Sequence, residues 1–126
     1  MLRGRCNCGG VTFRVDKARD SVLFCHCSIC RRFSGHYWAA TRADLEDIRF
    51  DSDATLTWFA TSERAERGFC NRCGSPLFFR PHGADHMGIS AGALDQPTGM
   101  VPLKHIFTAD KGDYYGIADD VPQIPD

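Results

Sequence analysis

The sequence predicts a mainly β protein with little helix. Three observations carry that expectation. Short stretches alternate apolar and polar residues, as a strand with one buried face does. No window of twelve or more residues shows a helical period. Gly, Pro and Asp punctuate the chain at short intervals, so elements must be brief. The expected arrangement is a single domain over residues 1–126.

The elements follow in order. "GVTFRV" sets Val11, Phe13 and Val15 against Thr12 and Arg14, a half-buried strand. "VLFC" (Val22–Cys25) is a short apolar strand running into a cysteine cluster. "HYWAATR" (His36–Arg42) reads as a third strand, followed by one helical turn over "ADLED" and a strand at "IRF" (Ile48–Phe50). "TLTWFA" (Thr55–Ala60) alternates again. "RGF" enters and "PLFFR" leaves a Cys-x-x-Cys turn, and "HMGISAG" and "LKHIF" are the remaining strand candidates. The ending "DDVPQIPD" has two prolines in its last six residues and is expected as an irregular surface tail.

The bulk composition narrows the function classes. A net charge of −1, with basic residues scattered apart from Arg31 and Arg32, argues against a nucleic-acid or anionic-membrane partner. No apolar run reaches the roughly 20 residues of a membrane span. "MLRGRCNCGG" lacks the apolar core of a signal peptide, so the expected compartment is the reducing cytoplasm.

Seven cysteines then dominate the reading. An odd number cannot all pair as disulfides, and the spacing Cys6-x-Cys8, Cys25-x-Cys27-x-x-Cys30 and Cys70-x-x-Cys73 would close only tiny loops. Clustered thiols in a reducing compartment suit zinc. Zinc takes four ligands, with sulfur at about 2.3 Å. A Cys-x-x-Cys turn followed by Gly74 presents two sulfurs at the right spacing, and Gly4, Gly9 and Gly10 let the Cys-x-Cys segment bend. Cys6, Cys8, Cys70 and Cys73 can therefore form a closed four-thiolate site. Such a site matters to a chain with a modest core, because a structural zinc contributes about 10–16 kcal/mol of apparent binding free energy to folding.

Cys25, Cys27 and Cys30 remain. Three protein ligands and one open position is the arrangement of a catalytic or substrate-binding zinc. An all-thiolate site is a weak Lewis acid but holds a soft fourth ligand, such as a small-molecule thiol, in ionised form. Two other divisions stay open. Cys27 and Cys30 could join Cys70 and Cys73 in a zinc ribbon, leaving Cys6, Cys8 and Cys25 spare. A Cys-x-x-Cys could also be a redox pair, although Cys70–Cys73 leads into a strand-like segment rather than a helix.

The ordered set "GRCNCGGV", "CHCSICRRFSG", "RGFCNRCGSPL", "SAGALD" and "PLKHIF" resembles the glutathione-dependent formaldehyde-activating enzyme family, which includes the centromere protein V group. The resemblance spans Gly4 to about Pro122. It implies a small β-rich, zinc-stapled domain of several short curled antiparallel sheets. It implies a structural zinc on Cys6, Cys8, Cys70 and Cys73, and a catalytic zinc on Cys25, Cys27 and Cys30. The activity implied is carbon–sulfur lyase chemistry joining glutathione to formaldehyde. The alternative is a zinc-stabilised binding module without catalysis.

Other residues carry weaker expectations. Arg31 and Arg32, beside Cys30, could meet a substrate carboxylate through bidentate bonds. His26 could be an auxiliary ligand or acid–base group, although its neighbours supply enough sulfur. His105 reads as an edge-strand residue, and His36, His82 and His86 have no constellation around them. Arg67 is expected to balance the charge of the four-thiolate site. Trp38, Trp58, Phe78 and Phe79 are most simply core.

Overall fold

The structure is a computed structural model describing Met1–Asp126. It contains ten strands, one short helix and three single 3₁₀ turns. The strands are β1 (Leu2–Arg5), β2 (Val11–Val15), β3 (Ser21–Cys25), β4 (Trp38–Asp44), β5 (Ile48–Asp53), β6 (Leu56–Ala60), β7 (Ala65–Cys70), β8 (Pro76–Pro81), β9 (His86–Ser90) and β10 (Val101–Ile106). The helix α1 spans Ser28–Ser34.

Two sheets form. The smaller has the order β1-β2-β5 and is antiparallel throughout. The larger has the order β10-β3-β4-β9-β8-β7-β6. Its pairs are antiparallel except β10–β3, which run parallel. The mainly β class is as expected, with that one parallel pair as a departure.

Alternation does what the sequence suggests. Val11, Phe13 and Val15 of β2 are fully buried, and Thr12 and Arg14 between them are not. They meet Leu77, Phe78, Met87 and Ile89 of the larger sheet in one apolar core. The ring of Phe78 sits edge-on to Phe13, with centroids 5.0 Å apart. The four-cysteine cluster borders this core through Cys6 and Cys70. A second, smaller core gathers Cys25, Cys30, Trp38 and Ala40. Each cysteine cluster thus sits against its own packed layer.

Two segments show more than the sequence suggested. "CHCSICRRFSG" holds a helix: Cys27 caps it by accepting the Cys30 backbone N–H on Sγ at 3.3 Å, and Gly35 ends it at φ +87°. The C-terminal segment is irregular but tied down. Pro122 C=O accepts the His105 N–H at 2.8 Å, and Ile124 N–H donates back to His105 C=O at 2.9 Å. The segment thereby covers the outer edge of β10, whose unpaired backbone would otherwise face solvent.

Candidate metal centre

The closed cluster comes first. Cys6 and Cys8 lie just past β1, and Cys70 and Cys73 flank the turn that leaves β7. Their four sulfurs lie within 4.8 Å of one another. The Cys6–Cys8 and Cys8–Cys70 sulfur distances are both 3.6 Å. Tetrahedral zinc with sulfur at 2.3 Å sets neighbouring sulfurs roughly 3.8 Å apart, so the donor set fits that ion. Gly74 adopts φ +79°, and nothing lies within 4 Å of where its Cβ would be. Backbone conformation, not space, demands glycine there.

Donors already converge on these sulfurs. The N–H groups of Arg72 and Cys73 point at Cys70 Sγ (3.4 Å each), Val11 N–H at Cys6 Sγ (3.3 Å), and Arg72 Nε at Cys8 Sγ (3.3 Å). Hydrogen bonds from Ser75 bring the Cys73 thiol down to about 5. Burial pushes Cys70 up, yet bonds from Thr55, Cys73 and Arg72 hold it lower, at about 7. Burial pushes Cys6 the other way, so it is the turn cysteines Cys70 and Cys73 that lean toward the thiolate, the form that binds metal.

The open cluster is built differently. Cys25 ends β3, Cys27 caps α1 and Cys30 lies in its first turn, so a strand–helix junction points three sulfurs at one spot. They lie within 4.8 Å of one another, with no His, Asp or Glu in the group. Cys25 and Cys30 are buried and Cys27 half-buried. Hydrogen bonds from Cys25 and Cys30 pull the Cys27 thiol down, while contacts with Cys27 and Cys30 together with burial push Cys25 up. Three crowded sulfurs cannot all ionise in this site unaided, and a divalent cation removes the conflict. The donor set fits zinc with one position left over.

All three cysteines line a cavity of about 470 Å³. Leu23, Ile29, Ala40, Phe79 and Ile106 give it apolar walls, Arg42 and Arg64 are exposed at its rim, and no carboxylate lines it. Phe107, also in the lining, adopts φ +55°, a left-handed conformation uncommon for an aromatic residue. Trp38 donates from Nε1 to Ser90 Oγ (2.8 Å), which donates to Pro76 C=O (2.8 Å). That relay fixes the indole in the cavity wall.

The remaining expected residues fall in three places. Arg31 and Arg32 occupy the last turn of α1 and do not line this cavity. Arg31 lies on the side of Tyr115, where its charge partly offsets the burial that pushes the phenol up. Arg67 is not at the four-thiolate cluster. It is buried beside the open one, donating from Nη2 to Cys30 Sγ at 3.3 Å. Arg72, which the sequence reading did not single out, stands at the closed cluster where Arg67 was expected.

His26 turns away from the cysteines on either side of it. Its Nδ1 meets the Tyr115 hydroxyl at 2.6 Å and its Nε2 meets His105 Nδ1 at 2.8 Å. Both ring nitrogens are occupied, so neither is left to bind metal. His105 Nε2 reaches Asp119 at 3.1 Å. With both imidazoles neutral, each proton has one place: Tyr115 O–H donates to His26, His26 to His105, and His105 to the carboxylate. Burial and the neighbouring His105, His36 and Lys111 push His26 down to about 4, which keeps it neutral near pH 7. His36 also has company unforeseen in the sequence, with its Nδ1 2.9 Å from the Tyr114 hydroxyl.

This fold and these clusters define a small β protein with one closed and one open cysteine centre of zinc type. The chain belongs to the glutathione-dependent formaldehyde-activating enzyme family, whose model matches residues 1–110. It is 30% identical to a Halomonas elongata protein provisionally named a glutathione-dependent formaldehyde-activating enzyme, over 93% of this chain and 81% of that relative. A crystal structure of a Rhodobacter sphaeroides protein resembles it at TM-score 0.65 and 29% identity, covering 79% of this chain and 97% of that one.

Proposed function

We propose that this protein is a zinc-dependent carbon–sulfur lyase that binds a small thiol, glutathione or an analogue, at Cys25, Cys27 and Cys30 and adds it to an aldehyde. The observation that carries this reading is the convergence of three sulfurs, with no fourth protein ligand, in the lining of a cavity of about 470 Å³. Family membership supports it. Zinc held by the three cysteines would supply the charge that keeps an incoming fourth sulfur ionised near neutral pH.

The chain's own residues account for the rest. Leu23, Ile29 and Phe79 exclude water from around the sulfur, which strengthens electrostatic contacts there. Arg42 and Arg64 offer guanidinium groups to a thiol's carboxylates at the mouth. In the addition a bond forms between the thiol sulfur and the carbonyl carbon. The C=O π pair moves to oxygen, which takes up the proton the thiol gives up, so no electron acceptor is needed. Holding sulfur and carbonyl in one small cavity makes the encounter effectively intramolecular.

The test is calorimetric binding of glutathione to zinc-loaded protein, alongside a Cys25→Ser, Cys27→Ser, Cys30→Ser triple variant. Binding and thiol-dependent aldehyde consumption should both vanish in the variant. Undiminished binding and turnover would contradict the proposal. A native protein that ignores thiols while holding two metals would point instead to a zinc-stabilised binding module.

A further inference from the structure

We infer that Arg67 is a positioning residue that sets the charge of the open cysteine centre, so that its fourth ligand is an anionic sulfur rather than a neutral donor. The inference rests on the reading of Cys25, Cys27 and Cys30 as a metal site with an open position.

Arg67 is 4% exposed, and no carboxylate lies within salt-bridge distance of it. A buried unpaired cation is strongly unfavourable, so an anion must be supplied nearby. The anionic groups on offer are the sulfurs: Nη2 donates to Cys30 Sγ at 3.3 Å. The guanidinium carbon stands 4.9 Å from the Phe79 ring centroid, 5.2 Å from Phe33 and 5.6 Å from Trp38. These three rings come from β8, α1 and β4, and they hold the cation in place. Its Nε and Nη1 have no hydrogen-bond partner and are shielded from solvent. Arg67 lines the cavity, and the one polar contact it makes there is with Cys30, so it acts through that sulfur and through its charge.

The charges then decide the ligand. Three thiolates and one divalent cation sum to a single negative charge, which the guanidinium cancels. A centre without that cation repels an arriving thiolate. A centre with it accepts one negative charge from a neutral start. Arg72, the matching cation at the closed cluster, is exposed to water, where its field is screened.

The test uses the full chain loaded with cobalt(II), whose sulfur-to-metal charge-transfer absorption reports each added ligand. Two probes are titrated at neutral pH: 2-mercaptoethanol, which joins as a thiolate, and imidazole, which joins uncharged. Arg67→Met should weaken thiol binding about tenfold or more while leaving imidazole binding within about twofold. Arg67→Lys, which keeps the charge, should restore most of the thiol affinity. Equal weakening of both probes, or of neither, in Arg67→Met would overturn the proposal. Should Arg67→Met fail to fold, Arg67→Lys decides alone: thiol affinity within about threefold of native supports the charge account, and a tenfold loss overturns it. A native protein whose cobalt binds neither probe fails at the open-site reading instead, and that outcome is distinct from the others.

Discussion

His26 Nε2 lies 2.8 Å from His105 Nδ1, joining the middle of the "CHCSIC" cluster to β10 across 79 residues of chain. Tyr115 and Asp119 complete the line at either end, so the segment after β10 is fastened to the open centre by side chains as well as by backbone. Replacing His105 with Ala strands the buried His26 Nε2 and cuts the tie to Asp119. The expected loss is about 1–3 kcal/mol in urea unfolding. The segment from Lys111 onward should also become sensitive to protease under native conditions. Unchanged stability and unchanged cleavage would show that the line holds nothing.

Tyr115 makes this fastening pH-dependent on the alkaline side. Burial raises its phenol pKa above the ordinary value of 10.0. A group whose folded pKa is raised contributes stability that is complete below the unfolded pKa and is lost as pH rises through the folded one. Stability should therefore fall above about pH 10 faster in the native protein than in Tyr115→Phe, which has no phenol to ionise. Parallel curves for the two proteins in denaturant titrations would contradict this.

Ser90 supports the cavity wall from behind. It accepts from Trp38 Nε1 and donates to Pro76 C=O, both at 2.8 Å. Ser90→Ala leaves a buried donor and acceptor unmatched, with an expected loss of about 1–3 kcal/mol. Trp38 fluorescence should change with it, because the indole loses its hydrogen bond. The signal is read against Trp58, the other tryptophan.

The closed cluster should govern folding and the open one should not. Cys70→Ser removes a ligand from the staple between the N-terminal segment and the β7–β8 turn. Forfeiting much of the about 10–16 kcal/mol that a structural zinc contributes, it should leave the chain unfolded by circular dichroism. Gly74→Ala, at φ +79°, should cost only about 1 kcal/mol and keep the metal. A folded, metal-free Cys70→Ser would refute the staple.

Arg42 and Arg64 should discriminate among thiols by charge. Replacing both with Gln should weaken binding of glutathione and of 3-mercaptopropionate about tenfold, while a neutral thiol of similar size is little affected. A uniform loss for all thiols would place the effect in the fold rather than at the rim.

Much of this was legible in the sequence, for identifiable reasons. β2 showed itself because one face packs on the core and the other does not, so Val11, Phe13 and Val15 stand out. The division of seven cysteines was visible because sulfur spacing in Cys-x-x-Cys turns is a local property. β1 was not visible: it has four residues, of which Gly4 alone is buried. Helix α1 was missed because seven residues make barely two turns, too few for a period to emerge. The parallel β10–β3 pair depends on distant partners and leaves no local mark.

Arg67 is the instructive failure. Proximity to Cys70 suggested the closed cluster. Yet an odd separation on a strand sends side chains to opposite faces. On β7 that sends Arg67 toward Phe79, its cross-strand partner, and toward the open centre. The pleat carried the answer, and sequence distance hid it. The His26 line and the His36–Tyr114 contact are long-range meetings of single residues, which no local pattern encodes.

The central claim is that this chain holds two zinc centres, of which only the Cys25–Cys27–Cys30 one is open. The direct measurement is zinc per chain on freshly prepared protein, with the metal's sulfur coordination followed by X-ray absorption as glutathione is added. The account predicts about two zinc ions and a rise in average sulfur coordination on adding the thiol. It predicts about one zinc and no rise in the Cys25→Ser, Cys27→Ser, Cys30→Ser variant. One zinc per native chain after metal is resupplied, with coordination indifferent to glutathione, would contradict it.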